Sequence, residues 1–136
     1  MSSRRKSRII AVQMLYQIQL TGAPVTDVIN LFWQNHETPP ELRPFAEMLV
    51  QNTIANLEAI DSVIQATSKN WKLHRMPAVD LAILRCATYE ILYCEDIDAA
   101  TSINEAVEIA KTYSTLESPK FINGMLDSIW KRQSKT

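Results

Sequence analysis

The chain has 136 residues, of which 46% are apolar and 21% charged, with a net charge of −1. That length makes one domain, able to bury roughly two-thirds of its unfolded surface without disulfides or metals. No apolar run nears the roughly 20 residues of a membrane span, and Gln13, Tyr16, Gln17 and Gln19 interrupt the stretch after the basic start. Membrane and secreted proteins are thereby set aside, and a cytoplasmic location is expected.

Helical spacing dominates, only two glycines occur, and no segment alternates strictly as a half-buried strand does. The fold class is therefore all-α, with about seven helices. The first helix is predicted over residues 3–20, burying a stripe of Ile9, Val12, Tyr16 and Leu20 and stopped by Gly22 and Pro24. Thr26 caps a short second helix with Val28, Leu31 and Phe32 inward. A loop over residues 36–40 leads into a third helical stretch carrying Leu42, Phe45, Leu49 and Ile54, which continues through Leu57, Ile60 and Ile64. Composition leaves open whether this stretch bends near Asn56. Pro77 suits the first turn of the next helix, which is apolar nearly all round from Val79 to Cys94 and so reads as central. After an acidic connector, Ser102 and Glu105 form the Ser-x-x-Glu capping box that opens a sixth helix reaching about Tyr113. Ser118 and Pro119 then supply the N-cap and first residue of a last helix, burying Ile122, Met125, Leu126 and Ile129.

Nothing in the chain is arranged for catalysis. There is no glycine-rich phosphate loop, no histidine beside a plausible nucleophile, and no metal-ligand spacing around His36 or His74. Cys86 and Cys94 are eight residues apart on one helix, about 12 Å, beyond the roughly 7 Å that a disulfide allows. Free buried thiols, no cofactor and no enzyme are expected.

Charge is segregated. Residues 1–26 hold Arg4, Arg5, Lys6 and Arg8 and no acid, residues 27–117 hold fourteen acids against six Lys and Arg, and residues 118–136 hold four bases and only Asp127. Basic ends on an acidic body fit an anionic partner. Positive charge in the first turn of a helix opposes the macrodipole, at about 0.3–1 kcal/mol per charge. The amino-terminal cluster is thus either a frayed, solvated start or a clamp on phosphates. At the last helix, Ser118, Pro119, Lys120 and Phe121 set amides, a hydroxyl, an ammonium and an aromatic ring within one turn. Phosphate binding with base stacking, or a plain cap with Phe121 in the core, are the two readings.

Taken together, these segments resemble the NusB family. RRKSRIIAVQMLYQ is similar to its Arg-rich opening helix, and WKLHRMPAVDLAILRCATYEI to its W-x-L-x-R and D-x-x-I-L-R-x-A-x-Y-E segment. INEAVEIAKTYST resembles its I-N-E-A-V-E-L-A-K helix, and SPKFINGMLDSI its S-x-K-F-V-N-G-V-L-D ending. The resemblance covers essentially the whole chain and is strongest from 71 to 130. It implies two small helical halves packed together, here about 1–75 and 76–136. It also implies binding of single-stranded boxA RNA from ribosomal-RNA leaders together with the ribosomal protein NusE. That complex joins RNA polymerase in elongation with other Nus factors and promotes read-through of terminators.

By the same resemblance, Arg4, Arg5, Lys6, Arg8, Tyr16, Ser118, Lys120 and Phe121 fall at RNA-associated positions, and Asp80, Arg85 and Tyr89 near the partner surface. Some relatives self-associate through the RNA-facing side, so a homodimer is among the partners it allows. Pro119 departs from the usual polar residue and offers no N–H to a phosphate. A related domain fronts some ribosomal-RNA cytosine methyltransferases, but no glycine-rich domain follows here, so that reading is not expected. Five residues turn a helix by about 500°, which sets Asp80 and Arg85 some 140° apart. Asp80 is therefore expected to meet the partner and Arg85 to tie internally to an acid such as Glu105. Phe121 is expected to stack on a base rather than join the core.

Overall fold

The computed structural model describes residues 2–134. Among the described residues the chain is all-helical. α1 spans Ser3–Thr21, α2 Val25–Asn35, α3 Arg43–Ala55, α4 Leu57–Thr67, α5 Ala78–Tyr93, α6 Ala99–Tyr113 and α7 Ser118–Ser134, with single 3₁₀ turns at Pro40–Leu42 and Leu73–Arg75.

Local chemistry sets these limits. Ser2 caps α1 by accepting from the Arg5 N–H, and Gly22 ends it at φ 69°, its N–H reaching Ile18 O at 2.8 Å. A left-handed residue there is most easily a glycine. The long helical stretch does break at Asn56, which leaves helical geometry at φ −112° and ψ 20°. Its side chain satisfies the Asn52 carbonyl at 2.8 Å and holds the kink.

α5 is the axle of the fold. It packs against α1, α3, α4, α6 and α7, and its buried set runs almost unbroken from Asp80 to Glu90. A helix enclosed on nearly every side must be apolar all round, so its periodicity is weak even though its burial is high. The core is one cluster fed by all seven helices, including Leu15, Ile29, Leu49, Ile64, Leu84, Ile109 and Leu126. Each such side chain contributes about 1.5–3 kcal/mol by leaving water.

Four local expectations are corrected. α1 buries Ser7, Arg8, Ala11, Val12, Met14 and Leu15, whereas Leu20 is 61% exposed. The stripe is rotated from the predicted one because two polar residues, Ser7 and Arg8, belong to it. In α2, Leu31 lies outward and Ile29 inward, and the helix begins at Val25 behind Pro24 with no cap from Thr26. Pro77 stands just before α5 rather than inside it. α6 begins at Ala99 behind Asp98, so Ser102 and Glu105 lie within the helix and make no capping box.

Candidate nucleic-acid interface

The amino-terminal arginines divide into two groups. Arg8 points inward: its Nε and Nη2 each donate to a Glu90 oxygen at 2.9 Å, and its side chain is only 5% exposed. Ser102 Oγ donates to the same carboxylate at 2.8 Å. Arg5 crosses to Glu105, donating from Nε at 3.1 and 3.2 Å and also from Nη2. Arg8 Nη1 reaches Glu105 as well, so α1, α5 and α6 are joined by one ionic network. Burial opposes the Arg8 charge, but the Glu90 and Glu105 carboxylates outweigh it and raise its pKa. Hydrogen bonds from Arg5, against the opposing effect of burial, hold the Glu105 carboxyl below its usual range.

The phosphate-clamp expectation is thereby corrected for Arg8, whose donors are enclosed, and narrowed for Arg5. Arg4 and Lys6 remain on the surface, with the Arg4 guanidinium 4.7 Å above the Phe45 ring. Arg4 and Arg8 share a helix face, and Phe45 lies under both.

The start of α7 is built differently from the cap expected of it. Ser118 is 2% exposed and its hydroxyl donates to Asp80 Oδ2 at 2.9 Å. Ser114 Oγ donates to Asp80 Oδ1, and the Thr115 N–H donates to Ser118 Oγ at 3.3 Å. The Glu117 carbonyl takes the Phe121 N–H at 3.2 Å. The Ser118 hydroxyl is therefore spent on tying the α6–α7 loop to α5. Lys120 is exposed, and Phe121 is half-buried with its ring edge-on to Trp71 at 5.3 Å.

Tyr16 is half-buried along a cleft of about 160 Å³ between α1, α5 and α6, beside Gln13, Val79, Ile109 and Tyr113. The expected partner residues lie inside. Asp80 is 2% exposed, so the expectation that it meets a partner is corrected: it anchors Ser114 and Ser118. Tyr89 is 6% exposed, its hydroxyl accepting from Asn52 Nδ2 at 3.0 Å. Arg85 is an internal tie, though to Asp61 rather than Glu105, with two bonds of 2.8 Å and a third at 3.0 Å to Gln19.

Residues 5–131 match the model of the NusB family. The chain belongs to the NusB family. It is 48% identical over 129 residues to the transcription antitermination protein NusB of Trichlorobacter lovleyi, covering 95% of this chain and 91% of that relative. It is similar in structure to T. maritima NusB, with a TM-score of 0.84 and 34% identity over 94% of this chain and 90% of that one. It also shares its fold with a chain from a crystal structure of antitermination factors NusB and NusE in complex with double-stranded RNA. That likeness has a TM-score of 0.85 at 24% identity, over 97% of this chain and 98% of that one.

The NusB motifs fall mostly on the scaffold. Asp80, Arg85 and Glu90 of the central motif, Glu105 of the next and Ser118 of the last are the residues that tie helices to one another. Exposed residues that sequence reasoning did not single out include Lys69, Trp71, Lys131 and Arg132. The basic carboxy-terminal segment was the available signal, although its Lys135 lies outside the described residues.

Proposed function

We propose that this NusB-family chain is a non-enzymatic transcription antitermination factor, acting in the cytoplasm. Its ligand is single-stranded boxA RNA of ribosomal-RNA leaders, bound jointly with the ribosomal protein NusE. The pair then joins other Nus factors on elongating RNA polymerase. One observation carries the RNA reading. Among the described residues, Arg4, Lys6 and Lys120 belong, with Lys69, Lys72, Arg75 and Arg132, to the exposed cations that make no ion pair within the chain, and Lys120 adjoins the half-exposed Phe121 ring. Cations that no carboxylate neutralises, next to an aromatic face, suit phosphates and an unpaired base.

The two clusters are spaced along α6, since Arg5 meets Glu105 near its middle and Lys120 follows its end at Tyr113. The eight residues from Glu105 to Tyr113 set about 12 Å of helix between them, a distance an RNA touching both would have to span. The cleft holding Tyr16 lies along that span and is chiefly apolar, so it suits a side chain of the protein partner better than a phosphate. We place NusE there, and with it Tyr16, in preference to the buried Asp80 and Tyr89 and to Arg85, whose guanidinium is spent on Asp61 and Gln19.

The test is a fluorescence-anisotropy titration of a boxA RNA oligonucleotide, with and without NusE, across salt. Arg4→Ala with Lys6→Ala should flatten the plot of log K against log salt by roughly one to one and a half units, two phosphate contacts at ~0.7 each. No RNA binding with or without the partner would leave a helical adaptor and sink the reading.

A further inference from the structure

We propose that a second anion-binding trough, between the end of α4 and the outer face of α7, carries single-stranded RNA onward from Phe121 toward the carboxy terminus. The inference rests on the RNA reading and extends it to residues that reading does not use.

Two hollows of about 760 and 430 Å³ lie along this edge, and both are lined by Thr67 and Ser128, so they form one continuous depression. At its α6 end stand Lys120 and Phe121, and at its far end Lys69, Lys131 and Arg132. Eleven residues of α7 separate Phe121 from Arg132, about 16 Å along the helix axis. Gly124 leaves the floor open midway, with no atom within 4 Å of where a Cβ would stand.

The charge favours an anion. Four cations face two carboxylates, those of Glu117 at the rim and Asp127 on α7. Asp127 accepts from Lys131 at 3.0 Å, but the two side chains are 41% and 69% exposed. An exposed i,i+4 pair of this kind is weak, so a phosphate can take over the ammonium. Arg132 Nη1 donates to Thr67 Oγ1 at 3.0 Å, which steers the guanidinium across the trough while a guanidinium has further donors to offer.

The aromatic end favours a nucleic acid over an acidic peptide. Trp71 is 38% exposed and meets Phe121 edge-on. Its loop is held firmly: Gln65 Nε2 and Ser68 Oγ donate to the Trp71 carbonyl at 3.1 and 2.8 Å, and Gln65 Oε1 accepts the Leu73 N–H at 3.0 Å. An exposed indole on a backbone held in this way, edge-on to the Phe121 that lines the hollow beside Lys120, offers stacking and phosphate contacts together, the combination that single-stranded binders use.

The experiment compares the wild-type chain with Lys69→Ala/Lys131→Ala/Arg132→Ala and, separately, with Ser128→Glu, which sets a negative charge midway along the trough. The probe is a fluorescein-labelled, unstructured single-stranded RNA, titrated over a range of salt, with poly-glutamate as competitor and thermal melts as the folding control. The triple variant should melt as the wild type does. It should lose roughly tenfold or more in affinity, with a salt slope flatter by about two units. Ser128→Glu should lose affinity in the same direction. If the wild type binds RNA and both variants match it in affinity and slope, the trough is overturned while the RNA reading stands. Displacement of RNA by poly-glutamate equally from wild type and triple variant would likewise place the anion site elsewhere. A wild type that binds no RNA overturns the functional reading and this inference with it.

Discussion

Arg8 and Glu90 face each other fork to fork, two 2.9 Å hydrogen bonds joining a guanidinium and a carboxylate that are 5% and 2% exposed. The pair joins the amino-terminal helix to the central one at the point where Ser102 of α6 also enters. An arginine that looks like part of a basic clamp is, in the folded chain, a strut.

Arg8→Ala should accordingly damage the fold. Removing one partner of an enclosed ion pair typically costs 3–5 kcal/mol, because the other charge is left without compensation. For a domain of this size the melting temperature should fall on the order of ten degrees or more. Arg8→Met combined with Glu90→Leu should lose less than Arg8→Ala alone, since no lone charge remains. A normal melt for Arg8→Ala with weakened RNA binding would return Arg8 to the surface clamp.

Acid should loosen the same network through Glu105. Arg5 holds its carboxyl below the usual range, so the unfolded chain takes up that proton at a higher pH than the folded one. The stabilisation is fully present above the unfolded value of about 4.3 and disappears as pH falls through the folded value. Melting temperatures between roughly pH 5 and pH 2 should therefore decline less steeply in Glu105→Gln than in the wild type. Parallel acid limbs for the two proteins would show that Glu105 does not report on this contact.

The all-helical architecture, the caps at Gly22 and the central helix were legible because apolar spacing and turn residues act locally. The polar interior was not. Ser7, Arg8, Asp80, Glu90 and Glu105 are buried because each finds a partner from 12 to 100 residues away, and nothing in the local pattern marks such pairing. The same blindness misplaced the stripe of α1 and the cap of α6, where polar residues serve the core rather than the helix ends. The resemblance assigned the basic clusters as a group. It had no means of separating Arg4 and Lys6, which face solvent, from Arg8, which does not.

Asp80→Ala and Arg85→Ala should both lower stability, contrary to the division of labour expected for them. Asp80→Ala leaves the Ser114 and Ser118 hydroxyls without their acceptor, a loss of about 1–3 kcal/mol. Arg85→Ala removes a two-pronged bond to Asp61 and strands Gln19, a loss of similar size. Partner affinity of the folded fraction should hold in both. Tyr113→Ala, at a side chain 47% exposed on the rim of the Tyr16 cleft, should instead weaken the partner with little change in melting temperature. Isothermal titration with NusE separates the cases, and undiminished binding by Tyr113→Ala would argue against the cleft.

Phe121 carries the last prediction, and its half-buried position requires a finer substitution than alanine. The ring packs edge-on against Trp71 and borders Lys120, so truncation removes both packing and any stacking face. A fully buried Phe→Ala change costs about 3–5 kcal/mol, and a half-buried ring correspondingly less. Phe121→Ala should therefore lower the melting temperature by a few degrees while also weakening RNA. Phe121→Leu keeps most of the apolar volume against Trp71 but abolishes the aromatic face. Stacking on an unpaired base is worth about 1–3 kcal/mol, so the leucine variant should lose on the order of ten- to a hundredfold in RNA affinity. Its melting temperature should stay close to that of the wild type. Calorimetric melts beside anisotropy titrations at one salt concentration would read both quantities. A leucine variant that binds RNA at full strength would make the ring a packing element and leave Lys120 as the contact at the start of α7.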